Sequence, residues 1–322
     1  MTQGLRVGFA GLGLMGRPMA LNLLADGHSL RFVINRDRSA VAELLAAGGQ
    51  EVASPAALGA ECDVVVMCLP GSEVIDRVLF GEQGVMQGAA KRGATVGAPI
   101  DVPAAQRGNG RAMTGSETSL LVIDCSTSPP DVTQAIAARL AAAGIRFVDS
   151  PVVRGPREAQ KRRLAALVGG SETDLVLARR VLASFCETVV HMGGVGAGQQ
   201  AKLINNFLGF GGLALLAEAH AVALRLGIDP ARLCEAISLG GGNSRVFQAM
   251  VPFITERDER RAQATLTTAL KDVSYYAQMA RQSGGPDPLA RLVSDQFADA
   301  VEGGFGERFL PHLIDFIAGR PA

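Results

Sequence analysis

Residues 5–24 read LRVGFAGLGLMGRPMALNLL, and the change of period inside this stretch decides the fold. Leu5 to Ala10 is a compact apolar run of strand length. It enters Gly11-Leu12-Gly13-Leu14-Met15-Gly16, after which Pro18 to Leu24 continue at helical spacing. Strand, tight turn and helix follow one another without a break. In that order GxGxxG has a mechanism: Gly11 makes the turn, Gly13 lets a pyrophosphate approach the backbone, and Gly16 lets helix and strand pack closely. The helix start adds unpaired N–H groups and the positive end of its dipole, so residues 11–16 are expected to hold the phosphates of a dinucleotide.

The second strand, Leu30 to Ile34, ends in Asn35-Arg36, about 20 residues beyond the glycines, where an NAD enzyme usually carries an acid for the ribose hydroxyls. No acid stands there. Asn35 can bond a ribose oxygen and Arg36 offers a planar cation to a 2′-phosphate, which favours NADP and leaves NAD open; Asp37 is a competing partner for the arginine. Val64 to Leu69 and Leu120 to Asp124 are continuously apolar, as strands covered on both faces are. They end in Cys68-Leu69-Pro70-Gly71 and Cys125-Ser126-Thr127. Ligands of a doubly wound sheet lie beyond such strand ends, so Leu69 and Pro70 are expected beside the cofactor and Ser126 and Thr127 along the pocket. Between them, Ala89 to Glu117 is rich in Gly, Ala, Arg and Pro without a period, and reads as an inserted surface loop of low order. Further strands are expected at Phe147 to Ser150, Leu164 to Val168 and Val189 to His191, with a helix from Glu172 to Ser184.

From Gly196 to Gly227 the chain predicts one long helix, apolar at nearly every position after Leu203 and therefore buried by other elements. At 1.5 Å per residue it would span about 45 Å and serve two domains. Gly209, Gly211, Gly212, Glu218 and His220 interrupt the run and argue against a membrane span. Lys202, Asn205 and Asn206 stand at i, i+3 and i+4, so an amine and two carboxamides share one face near the helix start. A lone lysine there would snorkel to solvent; the cluster beside a glycine turn favours a site. Strand signals then stop, and helices are expected at Pro230 to Ser238, Val246 to Ile254, Leu266 to Ser283, Pro288 to Glu302 and Glu307 to Ala318. The predicted fold is α/β: a doubly wound Rossmann-type parallel sheet over residues 1–192, then an all-helical substrate and dimerisation domain over residues 193–322.

A chain of 322 residues has room for two cores. Thirty-one Lys and Arg balance 31 Asp and Glu, which argues against nucleic acid as the main partner. Cys62, Cys68, Cys125, Cys186 and Cys234 are odd in number, widely spaced and mostly in apolar runs, so they read as reduced core residues. No His/Cys/Asp cluster suggests a metal. The opening residues lack a signal-peptide pattern, and the cytoplasm is the expected compartment.

Taken in order, the motifs resemble those of the β-hydroxyacid dehydrogenase family, whose fold is that of 6-phosphogluconate dehydrogenase. The resemblance rests on GFAGLGLMGRPMALNLLADGH from Gly8, on Leu69-Pro70, on Asp124 to Thr127 as a DxST segment, on Gly196 to Asn206 as GxGxxxKxxNN, and on Lys271-Asp272. It implies Lys202 as the catalytic lysine, Asn206 as a substrate ligand, and Lys271 near both substrate and nicotinamide; Asn205, on the same helix face as Lys202, is expected to bind substrate with them. The chain departs from the family where many relatives read DAPVSGG. Here Asp149 to Pro156 read DSPVVRGP, with Val153 at the serine position and Arg154 at the next glycine. Sulfolactaldehyde reductases of the family resemble the chain at this point and place an arginine on the substrate's anionic group, which implies the same of Arg154. The competing reading makes Arg154 the first of a solvated basic run with Arg157, Lys161, Arg162 and Arg163.

The resemblance implies reversible hydride transfer between NADP and a small β-hydroxy acid or its semialdehyde, with Lys202 as general acid and base. A lysine of ordinary pKa, about 10.4, is a poor base at neutral pH unless burial or a nearby cation lowers it. Two alternatives stay open: an imine reductase of the same fold, which commonly carries another residue at the Lys202 position, and an NADP-binding sensor without turnover. The expected partners are a small anionic molecule and a second copy of the chain.

Overall fold

The structure, a computed structural model, describes residues 4–35, 37–91 and 119–321. Residues 1–202 form one unit, built on strands β1 (Arg6–Ala10), β2 (Ser29–Val33), β3 (Gln50–Glu51), β4 (Val64–Met67), β5 (Leu121–Asp124), β6 (Arg146–Asp149), β7 (Val152–Val153), β8 (Leu164–Gly169) and β9 (Cys186–Gly193). Their order is β3-β2-β1-β4-β5-β6-β8-β7, with β9 also beside β8. From β3 to β6 every pairing is parallel. β6 and β7 then lie one after the other along β8, with Asp149 opposite Gly169 and Val152 opposite Ala166, both antiparallel.

The continuously apolar strands divide their side chains between two cores, as the period of two requires. Val7, Phe9, Val64, Val66, Leu121 and Ile123 enter one core with Met19 and Leu23 of the first helix, Gly16–Ala25. Val65, Met67 and Val122 enter the other with Leu58, Ile136 and Leu140. Each such side chain contributes about 1.5–3 kcal/mol by its burial. β1 sits between β2 and β4, so the strand order reverses at β1, and the crevice beyond its carboxyl end is where a ligand of this fold binds.

Residues 203–322 form the second unit and are helical. Leu213, Ala217, Phe253, Leu266, Phe297 and Leu313 share its core. Three helix starts are fixed by the side chains of Asp229, Ser244 and Thr265, which accept from the N–H groups of Arg232, Phe247 and Thr268 at 2.9, 3.1 and 3.2 Å.

Several expectations are corrected. The long helix, Ala197–Arg225, is not wrapped on all sides: Ile204, Leu208, Leu215 and Val222 are exposed, Leu208 by 69% and Leu215 by 74%. Their spacing of four and seven residues puts them on one stripe. The final helix is His312–Ile317 and does not begin at Glu307, because residues 308–310 run extended against 264–266: Leu266 N donates to Arg308 O at 3.0 Å and Leu310 N to Ala264 O at 2.8 Å. The helix from Pro288 ends at Ala300, and a wide turn, Val301–Phe305, follows with Gly304 at φ 89°. β3 and β7, of two residues each, were not expected. The inserted segment expected over residues 89–117 lies outside the described residues except for 89–91, where Ala89 closes the helix Val85–Ala89. All five cysteines are free thiols, and burial pushes Cys62 and Cys186 up to about 12.

Candidate active site

The turn after β1 shows why its glycines are where they are. Gly11 has φ 102°, and a β-carbon there would lie 2.1 Å from Cys68 O; one on Gly16 would lie 1.8 Å from Gly11 O. Both positions require glycine for the chain's own sake. Gly13 does not: a β-carbon there would have no neighbour within 4 Å. That open space beside the start of the first helix fits the approach of a pyrophosphate to the backbone. Leu12 and Met15 pack on the core, while Leu14 is exposed. Leu69 belongs to the same corner, since its Cδ2 lies 3.0 Å from a β-carbon built at Gly11, and Pro70 is exposed beyond it. Asn35 is exposed on the bend after β2; Arg36 lies outside the described residues. Asp37 accepts from Ser39 N at 2.8 Å, and Arg38 forms a two-pronged ion pair with Glu51 at 2.9 Å.

The turn after β5 is held by side chains bonded to main chain. Asp124 accepts from Ser126 N at 3.0 Å, the local bond that makes aspartate a turn former. Ser126, expected along the pocket, is 3% exposed, and its Oγ accepts from Leu69 N at 2.8 Å, joining the ends of β4 and β5. Thr127 is half-buried between the buried Ser126 and Ser128.

The start of the long helix rests on a carboxylate that sequence reasoning missed. Asp149, fully buried at the end of β6, accepts from Gly196 N at 2.7 Å and Gln199 N at 2.9 Å. The glycines around it make its seat, because a β-carbon on Gly169 or Gly198 would lie 2.5 or 2.8 Å from its oxygens, and Gly196 turns at φ 93°. A charged residue ending an otherwise buried strand was the available signal. Lys202 follows one turn later, and its Nζ donates to Val152 O at 2.9 Å, in the segment β7 that follows Asp149.

Burial pushes the Asp149 carboxyl up to about 6, against the two N–H donors that favour the anion. Between about pH 4 and 6 the folded chain therefore holds a proton that the unfolded chain has released. The group favours folding most at acid pH, and its contribution falls by about 3 kcal/mol as pH rises through 6. Asp149→Asn should flatten that dependence in denaturant titrations at pH 4.5 and 7; an unchanged slope would remove Asp149 from the titrating groups.

Arg154 follows β7 and is half-committed to an ion pair. Its backbone is left-handed, φ 79°, and its guanidinium bonds Arg163 O and the carboxylate of Glu187 on β9, so the cation assigned to a substrate anion already has an acidic partner 33 residues away in sequence. In the second unit, Asn206 is 9% exposed and its Nδ2 donates to Asp272 Oδ2 at 2.7 Å. Asn205, exposed, donates to Asn206 Oδ1 at 3.3 Å. Lys271 Nζ lies 3.2 Å from Asp272 Oδ1 and 5.4 Å from the centre of the Tyr275 ring. Asp272, quoted in sequence only as half of a motif, thus holds Asn206 and Lys271, two of the second unit's three expected ligands.

Residues 6–194 match the family model described as the NAD-binding domain of 6-phosphogluconate dehydrogenase, and residues 196–314 match that of the NAD-binding domain of NADP-dependent 3-hydroxyisobutyrate dehydrogenase. The chain belongs to the β-hydroxyacid dehydrogenase family. Among curated relatives it is 31% identical to an L-threonate dehydrogenase of Cupriavidus necator, over 93% of this chain and 92% of that one. It is 30% identical to a 3-sulfolactaldehyde reductase of Escherichia coli, over 94% and 92%. A solved 3-hydroxyisobutyrate dehydrogenase of Mycobacterium tuberculosis, in a structure with L-serine, superposes with a TM-score of 0.77 at 27% identity, covering 98% of this chain and 99% of that one. As a β-hydroxyacid dehydrogenase, the chain is an NAD(P)-dependent oxidoreductase, with a Rossmann-type cofactor domain followed by a helical domain.

Proposed function

We propose that this dehydrogenase uses NADP and interconverts a small β-hydroxy acid with its semialdehyde, with Lys202 as general acid and base. The observation that carries the reading is the seat of Lys202: on a helix start clamped by Asp149, with Nζ bonded to Val152 O at 2.9 Å. An ammonium has three donors, so one bond to a carbonyl aims the group without discharging it. In reduction Lys202 gives a proton to the nascent alkoxide; in oxidation the neutral amine takes it back. The nicotinamide, when bound, supplies or accepts the hydride. Gly11 to Gly16 would hold its pyrophosphate, Asn35 and Arg36 the ribose and 2′-phosphate, and Leu69, Pro70 and Thr127 the strand-end side of the crevice. Asn206, Asn205 and Lys271 provide amides and a cation suited to a substrate anion. The substrates named for two relatives, L-threonate and 3-sulfolactaldehyde, support a small acid bearing a hydroxyl or an aldehyde.

Label transfer tests the reaction. With NADPH deuterated at the transferring position of C4, the carbonyl carbon of an aldehyde acid should gain one deuterium. An unlabelled product, or turnover confined to cyclic imines, would reject the reading.

Arg36 is the residue on which the cofactor preference rests. Arg36→Ala should weaken NADPH by about 10- to 100-fold, the equivalent of one or two charge-assisted bonds to phosphate, and NADH by less than about twofold. Equal losses in a binding titration would withdraw the preference.

The exposed stripe on the long helix supports a homodimer. Among the described residues this helix alone has the length and apolarity of a membrane span, so the stripe demands a covering partner. Leu208→Glu with Leu215→Glu should shift the sedimenting species from twice the 33.5 kDa chain mass to a single chain. A wild-type monomer would remove the dimer, and pelleting with lipid vesicles would assign the stripe to a membrane.

A further inference from the structure

Gln199 is fully buried, and neither proton transfer nor cofactor binding as described above uses it. Its main chain belongs to the first turn of the long helix, where its N–H donates to Asp149 Oδ2 at 2.9 Å. Its side chain faces the turn after β5. There Nε2 donates to Ser126 O at 2.9 Å, and Oε1 accepts from Ser128 N at 3.1 Å. These two main-chain groups flank Thr127, so one carboxamide grips the loop on both sides of that residue. Ser126 in turn accepts from Leu69 N at 2.8 Å, which carries the linkage to the end of β4. On the helix, Lys202 follows at i+3, on the same side of the helix as Gln199.

We propose that Gln199 is a positioning residue for hydride transfer, setting Thr127 of the β5 turn against the helical turn that presents Lys202. The role rests on the reading of Lys202 as the proton-transfer group. Only a side chain with a donor and an acceptor in one plane closes both loop bonds. A leucine closes neither and leaves a buried carbonyl and a buried N–H without partners. A glutamate closes both when protonated, because its O–H then donates to Ser126 O; as a carboxylate it only accepts and sets a negative oxygen against that carbonyl. The glutamate variant therefore converts a geometric role into a pH dependence that bulk packing would not create.

The test compares wild type, Gln199→Leu and Gln199→Glu across the pH range in which the wild type turns over an aldehyde acid. Gln199→Leu should lose at least about tenfold in kcat, with KM and NADPH affinity within about twofold, as expected for misplacement of reacting groups. Gln199→Glu should approach wild-type kcat at the acid end and lose it as pH rises through the titration of the new carboxyl, a fall in addition to any that the wild type shows from Asp149, whose carboxyl bonds Gln199 N and is pushed up to about 6. Should the leucine variant fail to fold, the pH profile of the glutamate variant decides alone. A glutamate variant that follows the wild-type profile within twofold, or that loses kcat and NADPH affinity together at every pH, overturns the role. A wild type inactive on every aldehyde acid overturns the functional reading first, and this role with it.

Discussion

Lys202→Ala should lower kcat for the aldehyde acid by about 10²- to 10⁴-fold, the usual loss when a general acid or base is removed. The same change should leave the NADPH dissociation constant within about twofold, because Lys202 Nζ donates to Val152 O on β7, whereas the cofactor turn lies after β1. Asp149 holds the helix start through main-chain N–H groups, so truncating Lys202 does not unseat the helix. Parallel losses in kcat and in cofactor affinity would mean that the lysine supports the fold or the nucleotide. A variant retaining more than about a tenth of the wild-type rate would take proton transfer away from Lys202.

Gly13→Ala should separate folding from cofactor binding. The β-carbon meets nothing within 4 Å, and Gly13 is not among the glycines with positive φ, so the folded chain accepts alanine without strain. Stability should stay level or rise by about 0.4–1 kcal/mol, since alanine restricts the unfolded chain more than glycine does. The methyl nevertheless fills the space through which a pyrophosphate reaches the helix start. Loss of one or two charge-assisted N–H bonds to phosphate should raise the dissociation constants of NADPH and NADH alike by about 10- to 100-fold. Gly16→Ala is the contrasting case, because its β-carbon would stand 1.8 Å from Gly11 O and the fold itself must give way. Thermal melts and fluorescence titrations of the two variants distinguish these costs. Undiminished cofactor binding by Gly13→Ala would move the pyrophosphate to another place.

The parts of the fold legible in sequence are those with a period or a steric necessity. β1, β4 and β5 announce themselves because a strand covered on both faces must be apolar at every position, and the glycine turn because Gly11 and Gly16 stand against backbone carbonyls. Two residues cannot display a period, so β3 and β7 were invisible. A helix apolar on every side reads the same whether its own chain or another surface covers it, which is why the exposure of Leu208 and Leu215 came only with the structure. The late start of the last helix depends on main-chain bonds between residues about 45 positions apart, Leu310 with Ala264, and no local preference reports them.

The site divides in the same way. Lys202, Asn206 and Lys271 were marked by spacing and family pattern. Arg154 was read from its register in a loop, and its partner Glu187 is brought near only by the pairing of β8 with β9. Gln199 carries no signal of chemistry, since an amide in a helix is common, and Asp149 shows only as an acid at the end of an apolar strand. Their importance comes from burial and from the main-chain groups they meet.

The central claim, that this family member reduces small aldehyde acids with NADPH through Lys202, is tested most directly by a steady-state panel. Carboxylate and sulfonate aldehydes, cyclic imines and a blank should be compared with NADPH and NADH for wild type and Lys202→Ala. The expected result is turnover on an aldehyde acid, faster with NADPH, that Lys202→Ala abolishes. Turnover on imines alone would contradict it in favour of an imine reductase, and tight NADPH binding with no turnover on any member of the panel would contradict it in favour of a sensor.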